Sequence, residues 1–133
     1  MRAVVDLALR LPGQKSVPAG DIARDTGVPP KFLGAILTDL NKAGLITSKR
    51  GPDGGQNLAR EPARITVEQI MRAVDSPVPP VTITGSDERA RIERCLAELF
   101  AEVDRATAAV TERVTLEDLR RRAQAYSVLD FTI

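Results

Sequence analysis

The sequence predicts a mainly α-helical fold with one small β-hairpin, and three stretches of the chain support this prediction. Residues 19–43 contain two helical patterns separated by a glycine turn. Residues 45–59 contain two short strand patterns on either side of a glycine-rich tip. Residues 86–110 form a long helical pattern with one apolar stripe. Together they predict a winged helix-turn-helix domain followed by a long C-terminal dimerisation helix.

The first predicted helix covers residues 2–11, which are mostly apolar and end before Pro12-Gly13. Proline and glycine together stop a helix, because one lacks a backbone donor and the other adopts conformations outside the helix. This helix should pack behind the helix-turn-helix.

The helix-turn-helix begins with a short helix that carries Ile22 and Ala23, and Gly27 follows four residues after Ala23. A sharp turn requires positive φ at this point, which glycine adopts without strain. Val28 would plug the turn, and Pro29-Pro30 suits the first turn of the second helix. That helix should end near Ala43, before Gly44, and its apolar residues are Phe32, Leu33, Ile36, Leu37 and Leu40.

The wing is predicted as a hairpin with residues 45–48 as its first strand and residues 56–59 as its second. Lys49 and Arg50 lead into the tip, which is Gly51-Pro52-Asp53-Gly54-Gly55. Glycine, proline and aspartate favour tight turns for separate backbone reasons. An ordinary helical hairpin followed by a β-hairpin, with no nucleic acid involved, is the alternative interpretation.

After a polar connector, Thr66 and Gln69 have the spacing of a capping box, and Ile65 and Ile70 could pack as a hydrophobic staple. The helix that they start should end near Val74. The proline-rich residues 76–85 are expected to be an extended linker. The predicted domains are therefore residues 1–75, a DNA-binding winged helix-turn-helix, and residues 86–133, a dimerisation helix with a C-terminal segment.

The long helix, opened by Ser86, has apolar residues that alternate at spacings of four and three, the pattern of a heptad seam. This stripe could pack on its own domain, but a partner helix from a second copy of the chain is favoured. A further cap at Thr115 and Asp118 should start a short helix to about Ala125, with residues 126–133 extended. The predicted dimerisation residues are Ile92, Leu96, Leu99, Val103, Ala106 and Val110.

Composition and charge restrict the class of protein. The chain of 133 residues is 43% hydrophobic but only 3% aromatic, which indicates one aliphatic core. It has no apolar run near the ~20 residues of a membrane span and no secretory signal, so a cytoplasmic protein is expected. Residues 1–60 hold nine Lys/Arg and five Asp/Glu, whereas residues 61–133 hold ten and thirteen. The basic excess therefore coincides with the half predicted to bind nucleic acid.

Several motifs in order resemble the IscR/NsrR family of bacterial winged-helix transcriptional regulators. Residues 50–55 (RGPDGG) resemble the family's RGPGGG wing, and Leu58-Ala59-Arg60 resembles its continuation. Residues 65–75 resemble its ITV-containing helix, and residues 114–119 (VTLEDL) resemble its VTL-x-DL element. The resemblance implies a homodimer that is held by the long helix and binds a pseudo-palindromic operator in double-stranded DNA.

Three departures from the family pattern affect what the resemblance implies. Members with an iron–sulfur cluster usually supply three cysteines around the start of the long helix, but this chain has only Cys95 and no histidine. A cluster needs several protein ligands, so no cofactor is expected. The basic segment that usually precedes the first helix is not present in this sequence. Gly34 and Ala35 replace polar residues of the recognition helix, so the sequence preference must differ.

The candidate DNA-binding residues lie on the exposed face of the second helix and on the wing. Lys31 lies near the helix N-terminus, where base edges are usually contacted, and lysine can reach guanine acceptors or a phosphate. Arg50 would contact phosphates of the neighbouring DNA backbone or enter a minor groove. For the helical positions, a solvated surface is the alternative. The full set is Pro30, Lys31, Gly34, Ala35, Thr38, Lys42, Lys49, Arg50, Gly51, Gly54 and Gly55.

The predicted function is sequence-specific transcriptional regulation, with repression by a homodimer expected and the effector unknown. A winged-helix module that binds proteins instead of specific DNA is the second hypothesis. An enzyme is not expected, because the chain has no histidine and its glycine-rich tip lacks the Lys-Ser/Thr of a phosphate loop. Cys95 is either a small buried residue beside the seam or a thiol switch, with Arg91 and Arg94 close enough to stabilise a thiolate.

Overall fold

The computed structural model describes residues 1–10, 13, 16–75 and 83–130, without the side chains of residues 128–130. Helices dominate this part of the chain, and a two-stranded antiparallel sheet lies in the middle of the sequence. The elements are α1 (Arg2–Arg10), α2 (Ala19–Thr26), α3 (Pro30–Lys42), β1 (Ile46–Lys49), β2 (Gly55–Leu58), a 3-10 turn (Pro62–Arg64), α4 (Val67–Val74), α5 (Glu88–Thr111) and α6 (Leu116–Asp130). This order confirms the predicted winged helix-turn-helix with a long C-terminal helix.

The helix-turn-helix forms as the sequence predicts. Helix α2 ends at Gly27, which adopts a left-handed φ of 70° and donates its amide to the carbonyl of Ala23. Helix α3 then starts at Pro30 and ends before Gly44, whose φ is 72°. Both turns therefore depend on a backbone conformation that glycine adopts without steric cost.

One continuous aliphatic core joins α1 to the helix-turn-helix, the wing and the last helix. Burial of these side chains supplies the main stabilising free energy of the fold. The side chains that are less than 2% exposed are Leu7, Ile22, Leu33, Leu40, Leu45, Ile46, Ile65, Ile70, Leu116, Val4 and Val17.

Phe32 corrects the predicted apolar face of the second helix. Its side chain is 62% exposed, whereas that of Leu33 is 1% exposed. Successive residues of an α-helix point about 100° apart, so Phe32 lies to one side of Leu33 and is buried only where a neighbouring element covers that side. Leu33, Leu37 and Leu40 occupy the inward stripe, which leaves Phe32 on the flank.

The wing pairs in the register Ile46↔Leu58 to Lys49↔Gly55, which the predicted strands imply, and only the bounds of each strand differ from the prediction, by one residue. Leu45 precedes β1, where it is buried in the core. Gly55 belongs to β2 instead of the tip, and Ala59 follows the strand. The amide of Ala59 donates to the carbonyl of Leu45, so the pairing continues briefly beyond both strands.

Two capping boxes lie side by side where α4 and α6 begin. The Thr66 hydroxyl accepts from the Gln69 amide while the Gln69 side chain accepts from the Thr66 amide, as predicted. In the second box, the Thr115 amide donates to the Asp118 carboxylate at 2.9 Å, and the Asp118 amide donates to the Thr115 hydroxyl at 3.2 Å. Thr66 also forms a β-bridge with Thr115, so the starts of the two helices are joined.

The C-terminal tail is helical through Asp130, so the prediction of extended backbone from Tyr126 was wrong. Residues 116–130 contain no glycine or proline to end the helix. Glu117 also pairs with Arg120 and Arg121, one turn further along the helix. Residues 131–133 lie outside the described residues.

Helix α5 extends over 24 residues, of which only Ala90 and Thr111 are buried. It begins at Glu88, after Asp87 accepts the amide of Ala90 as the N-cap, two residues later than predicted. Most of the predicted linker, residues 76–82, lies outside the described residues. None of the described helices is both long and apolar enough to cross a membrane.

Candidate nucleic-acid interface

The outer face of α3 carries the predicted helical contact residues, and each of them is exposed. They lie opposite the buried stripe of Leu33, Leu37 and Leu40. The hydroxyl of Thr38 donates to the carbonyl of Gly34 at 2.9 Å, so its methyl group is left for outside contacts. The exposed set is Pro30, Lys31, Gly34, Ala35, Thr38 and Lys42.

The N-terminal end of α3 is electropositive. The first turn contains no acidic residue, and Pro29 provides no side-chain cap for the free amides. A helix N-terminus carries a partial positive charge, and Lys31 adds a full charge beside it. This end of α3 therefore favours an approaching phosphate or a guanine edge.

Four cations on this surface have no ion-pair partner among the described residues. Lys31 and Lys42 on α3, and Lys49 and Arg50 at the end of β1, lie more than 4 Å from any described carboxylate. Arginines elsewhere on the chain, such as Arg72 and Arg120, pair with glutamates in their own helices. Other described arginines, such as Arg64, Arg91 and Arg113, have no ion pair either, so what distinguishes these four cations is that they lie on α3 and the adjacent wing.

The glycines of the wing tip have steric reasons for their positions. A Cβ atom on Gly54 would overlap the Lys49 carbonyl oxygen, and one on Gly55 would lie 2.5 Å from the Val17 carbonyl. Both contacts are too short for any other residue. Gly51 has a φ of 108° and no neighbour within 4 Å of such an atom. Backbone contact between these three glycines and DNA stays a prediction.

Three polar side chains connect α3 to the wing, and the sequence did not indicate this connection. The Asn41 amide donates to the Ser48 hydroxyl at 3.0 Å, and that hydroxyl donates to the Gln56 side-chain oxygen at 2.7 Å. They line a groove of about 410 Å³ between the helix and the hairpin, together with Gly34, Thr38 and Lys42.

The predicted dimerisation residues lie along α5 with about half of each large side chain exposed. Ile92 is 57% exposed and Leu99 is 52% exposed. Phe100, which the heptad pattern did not include, is 61% exposed beside them and widens the apolar stripe. The remaining members are Leu96, Val103, Ala106 and Val110.

Cys95 is exposed on α5, next to this stripe. Among the described residues, no three His, Cys, Asp or Glu side chains are grouped closely enough to hold a metal ion. With one cysteine and no histidine in the sequence, the donor set of one chain does not fit an iron–sulfur cluster.

Comparison with known proteins identifies relatives of the whole arrangement. The family model described as Rrf2, iron-dependent transcriptional regulator, matches residues 1–122. The chain is 32% identical to the HTH-type transcriptional regulator IscR of Vibrio atlanticus, over 96% of this chain and 74% of that protein.

Two solved structures resemble the fold. IscR from T. potens superposes with a TM-score of 0.73 at 29% identity, over 92% of this chain and 80% of that one. CymR, the global cysteine regulator of B. subtilis, gives a TM-score of 0.70 at 29% identity, over 90% and 88% of the two chains. The matched family and these relatives are transcriptional regulators and not enzymes.

Proposed function

Since the chain belongs to the Rrf2 family of transcriptional regulators, we propose that it represses transcription by binding a pseudo-palindromic DNA operator as a homodimer. Membership confirms the resemblance drawn from the wing and helix motifs, and with it a DNA-binding regulator. The observation that best supports the contact surface is that exposed cations of α3 and the wing, which have no ion pair among the described residues, accompany the uncapped N-terminus of α3. A surface that neutralises phosphates needs cations that are not already paired.

The proposed dimer rests on the apolar stripe of α5. Half-exposed Ile92, Leu99 and Phe100 form part of a continuous apolar surface. Large apolar patches on soluble proteins mark places where another surface binds. A two-fold axis through this helix would present two recognition helices, as successive half-sites of a palindrome require.

The proposed binding mode uses the two parts of the surface differently. Helix α3 enters the major groove with its N-terminal end first, where Lys31 reaches base edges or a phosphate. The wing places Lys49 and Arg50 against the neighbouring backbone or the minor groove. A dimer bound across a promoter excludes RNA polymerase, so repression is the simplest outcome.

The test of this surface compares Arg50→Ala with Arg105→Ala, which removes the same charge from an exposed position on α5. Arg50→Ala should weaken binding almost evenly across DNA sequences. It should also reduce the slope of log affinity against log salt concentration by about one. Arg105→Ala should change neither quantity, and Lys31→Ala should alter which duplexes are preferred. Unchanged binding in both Arg50→Ala and Lys31→Ala would move the contact surface elsewhere. A native protein with no salt-dependent affinity for duplex DNA would favour the protein-binding module.

We also propose that the chain works without an iron–sulfur cluster, because Cys95 is its only thiolate donor and it has no histidine. Protein purified without oxygen should contain no iron and show no visible absorbance. Iron and visible bands that disappear in Cys95→Ser would instead indicate a cluster shared between two chains.

A further inference from the structure

We infer that Asn41, Ser48 and Gln56 form a positioning relay, which holds the wing at a fixed orientation to the recognition helix and thereby sets operator specificity. This inference rests on the proposed function, since it concerns how the two parts of the DNA-binding surface act together. In this inference Asn41 holds the wing in place and does not contact bases.

The relay joins three different elements. Asn41 lies in the last turn of α3, Ser48 lies on β1 and Gln56 faces Ser48 as its cross-strand partner on β2. The Ser48 hydroxyl accepts from Asn41 at 3.0 Å and donates to Gln56 at 2.7 Å. A hydroxyl that donates and accepts at once is held in orientation from both sides, and each bond polarises the other.

The backbone of Gln56 is also held by hydrogen bonds to Val17. Its amide donates to the carbonyl of Val17 at 2.7 Å, and its carbonyl accepts from the amide of Val17 at 3.0 Å. Gly55 permits this approach, because a Cβ there would lie 2.5 Å from the Val17 carbonyl. Val17 directly precedes Pro18 and α2, so β2 is attached to the start of the helix-turn-helix. The relay then extends this attachment to the end of α3.

The location of the relay connects it to specificity. The same groove between α3 and the wing is lined by Gly34, Thr38 and Lys42, which are candidate DNA contacts. A protein that contacts two grooves at once binds best when the distance between its two contacts is already fixed, because less freedom is lost on binding. Without the relay, the wing would adjust to many sequences, and discrimination among them would fall.

The test uses Ser48→Ala, which removes both relay bonds at an exposed position, with Thr47→Ala as the control. Thr47 is the neighbouring exposed residue on β1, and its side chain forms no hydrogen bond with any residue that the structure describes. The probes are a duplex that the native protein selects from a randomised pool and a bulk duplex of unrelated sequence. Ser48→Ala should lose about three- to tenfold in affinity for the selected duplex, the value of a net hydrogen bond or two.

The remaining measurements separate positioning from direct contact. Affinity for the bulk duplex and the melting temperature should stay unchanged in Ser48→Ala, and Ser48→Thr should restore the affinity for the selected duplex. Asn41→Ala should cost as much as Ser48→Ala, and the double variant should cost no more than either. Additive losses would mean that Asn41 contacts DNA itself and would overturn the relay.

A Ser48→Ala variant that binds like the native protein, or a Thr47→Ala variant that loses equally, would also overturn the relay. Neither result would affect the proposed function, which depends on whether the native protein selects a duplex and on the response to Arg50→Ala.

Discussion

At the scale of single residues, Phe32 and Leu33 show what a sequence pattern can and cannot decide. Both are apolar and both fit the helical repeat of α3, yet one is 62% exposed and the other 1% exposed. Periodicity identifies an apolar stripe but does not fix its edges. The neighbouring elements decide which edge residue is buried, and a single sequence does not contain that information.

The first prediction uses these adjacent residues as a matched pair. Leu33→Ala should lower the free energy of unfolding by about 2–5 kcal/mol, because it leaves a cavity in the core. Phe32→Ala should lower it by less than about 1 kcal/mol, because most of that ring is already in water. Urea denaturation followed by circular dichroism gives both values. Equal losses in the two variants would show that Phe32 is buried in solution.

The relay of Asn41, Ser48 and Gln56 was missed for a related reason. The three residues are separated by seven and eight positions and lie on different elements. The predicted strands already place Ser48 opposite Gln56, but nothing in the sequence indicates that Asn41 of α3 lies beside them. The relay depends on how α3 packs against the wing, which is a tertiary contact that helix and strand patterns do not determine, so it could not be deduced beforehand.

At the scale of elements, the helix caps were the most predictable features. Thr66 with Gln69 and Thr115 with Asp118 have capping-box spacing in the sequence and form these boxes in the structure. This prediction succeeded because a cap is local, so a few residues contain everything that it requires. The end of α6 was predicted less well, because a helix without a stop signal ends where its packing ends.

The second prediction concerns the cap at α6. The Thr115 amide donates to the Asp118 carboxylate, and this bond lowers the pKa of Asp118 below its ordinary value of 3.8. A lowered folded pKa means that the carboxylate stabilises the fold above about pH 4 and loses this effect as the pH falls through the folded value. Asp118→Asn should therefore melt at a lower temperature than the native protein at pH 7.

The difference between Asp118→Asn and the native protein should shrink as the pH falls below 3.8, where the native carboxyl gains its proton. Thermal melts between about pH 2.5 and 7 measure this convergence. Asp53→Asn at the exposed wing tip is the control, and its melting temperature should follow that of the native protein. A constant difference across this range would assign the loss to packing instead of charge.

At the scale of the whole molecule, the sequence predicted the order of elements but not that the last helix packs into the same core as α1. Leu116 is fully buried in the same core as Leu7 of α1. The Leu116 amide donates to Ile65 at 2.8 Å, and the Val67 amide donates to Val114 at 2.9 Å. Helical periodicity contains no information about which distant segment a helix contacts. The division of the chain at residues 76–85 stays a prediction.

The third prediction tests the proposed dimer through α5. Leu99→Glu and Val103→Glu should each convert the protein to a monomer, because they bury a charge in the apolar stripe. Ala101→Glu adds the same charge on the opposite face of the helix, where it is exposed, and should leave the dimer intact. Sedimentation equilibrium at micromolar concentration distinguishes the two states. A monomeric native protein under these conditions would contradict the proposed interface.

The bridge between Thr66 and Thr115 has a consequence for folding during synthesis. During translation, the helix-turn-helix and the wing leave the ribosome well before residue 116. Until Leu116 is synthesised, Ile65 lacks the donor for its carbonyl, and the core around Leu7 is incomplete. All of α5 has been synthesised by that time. A nascent chain therefore completes the core of its helix-turn-helix and wing only after its long helix has been made.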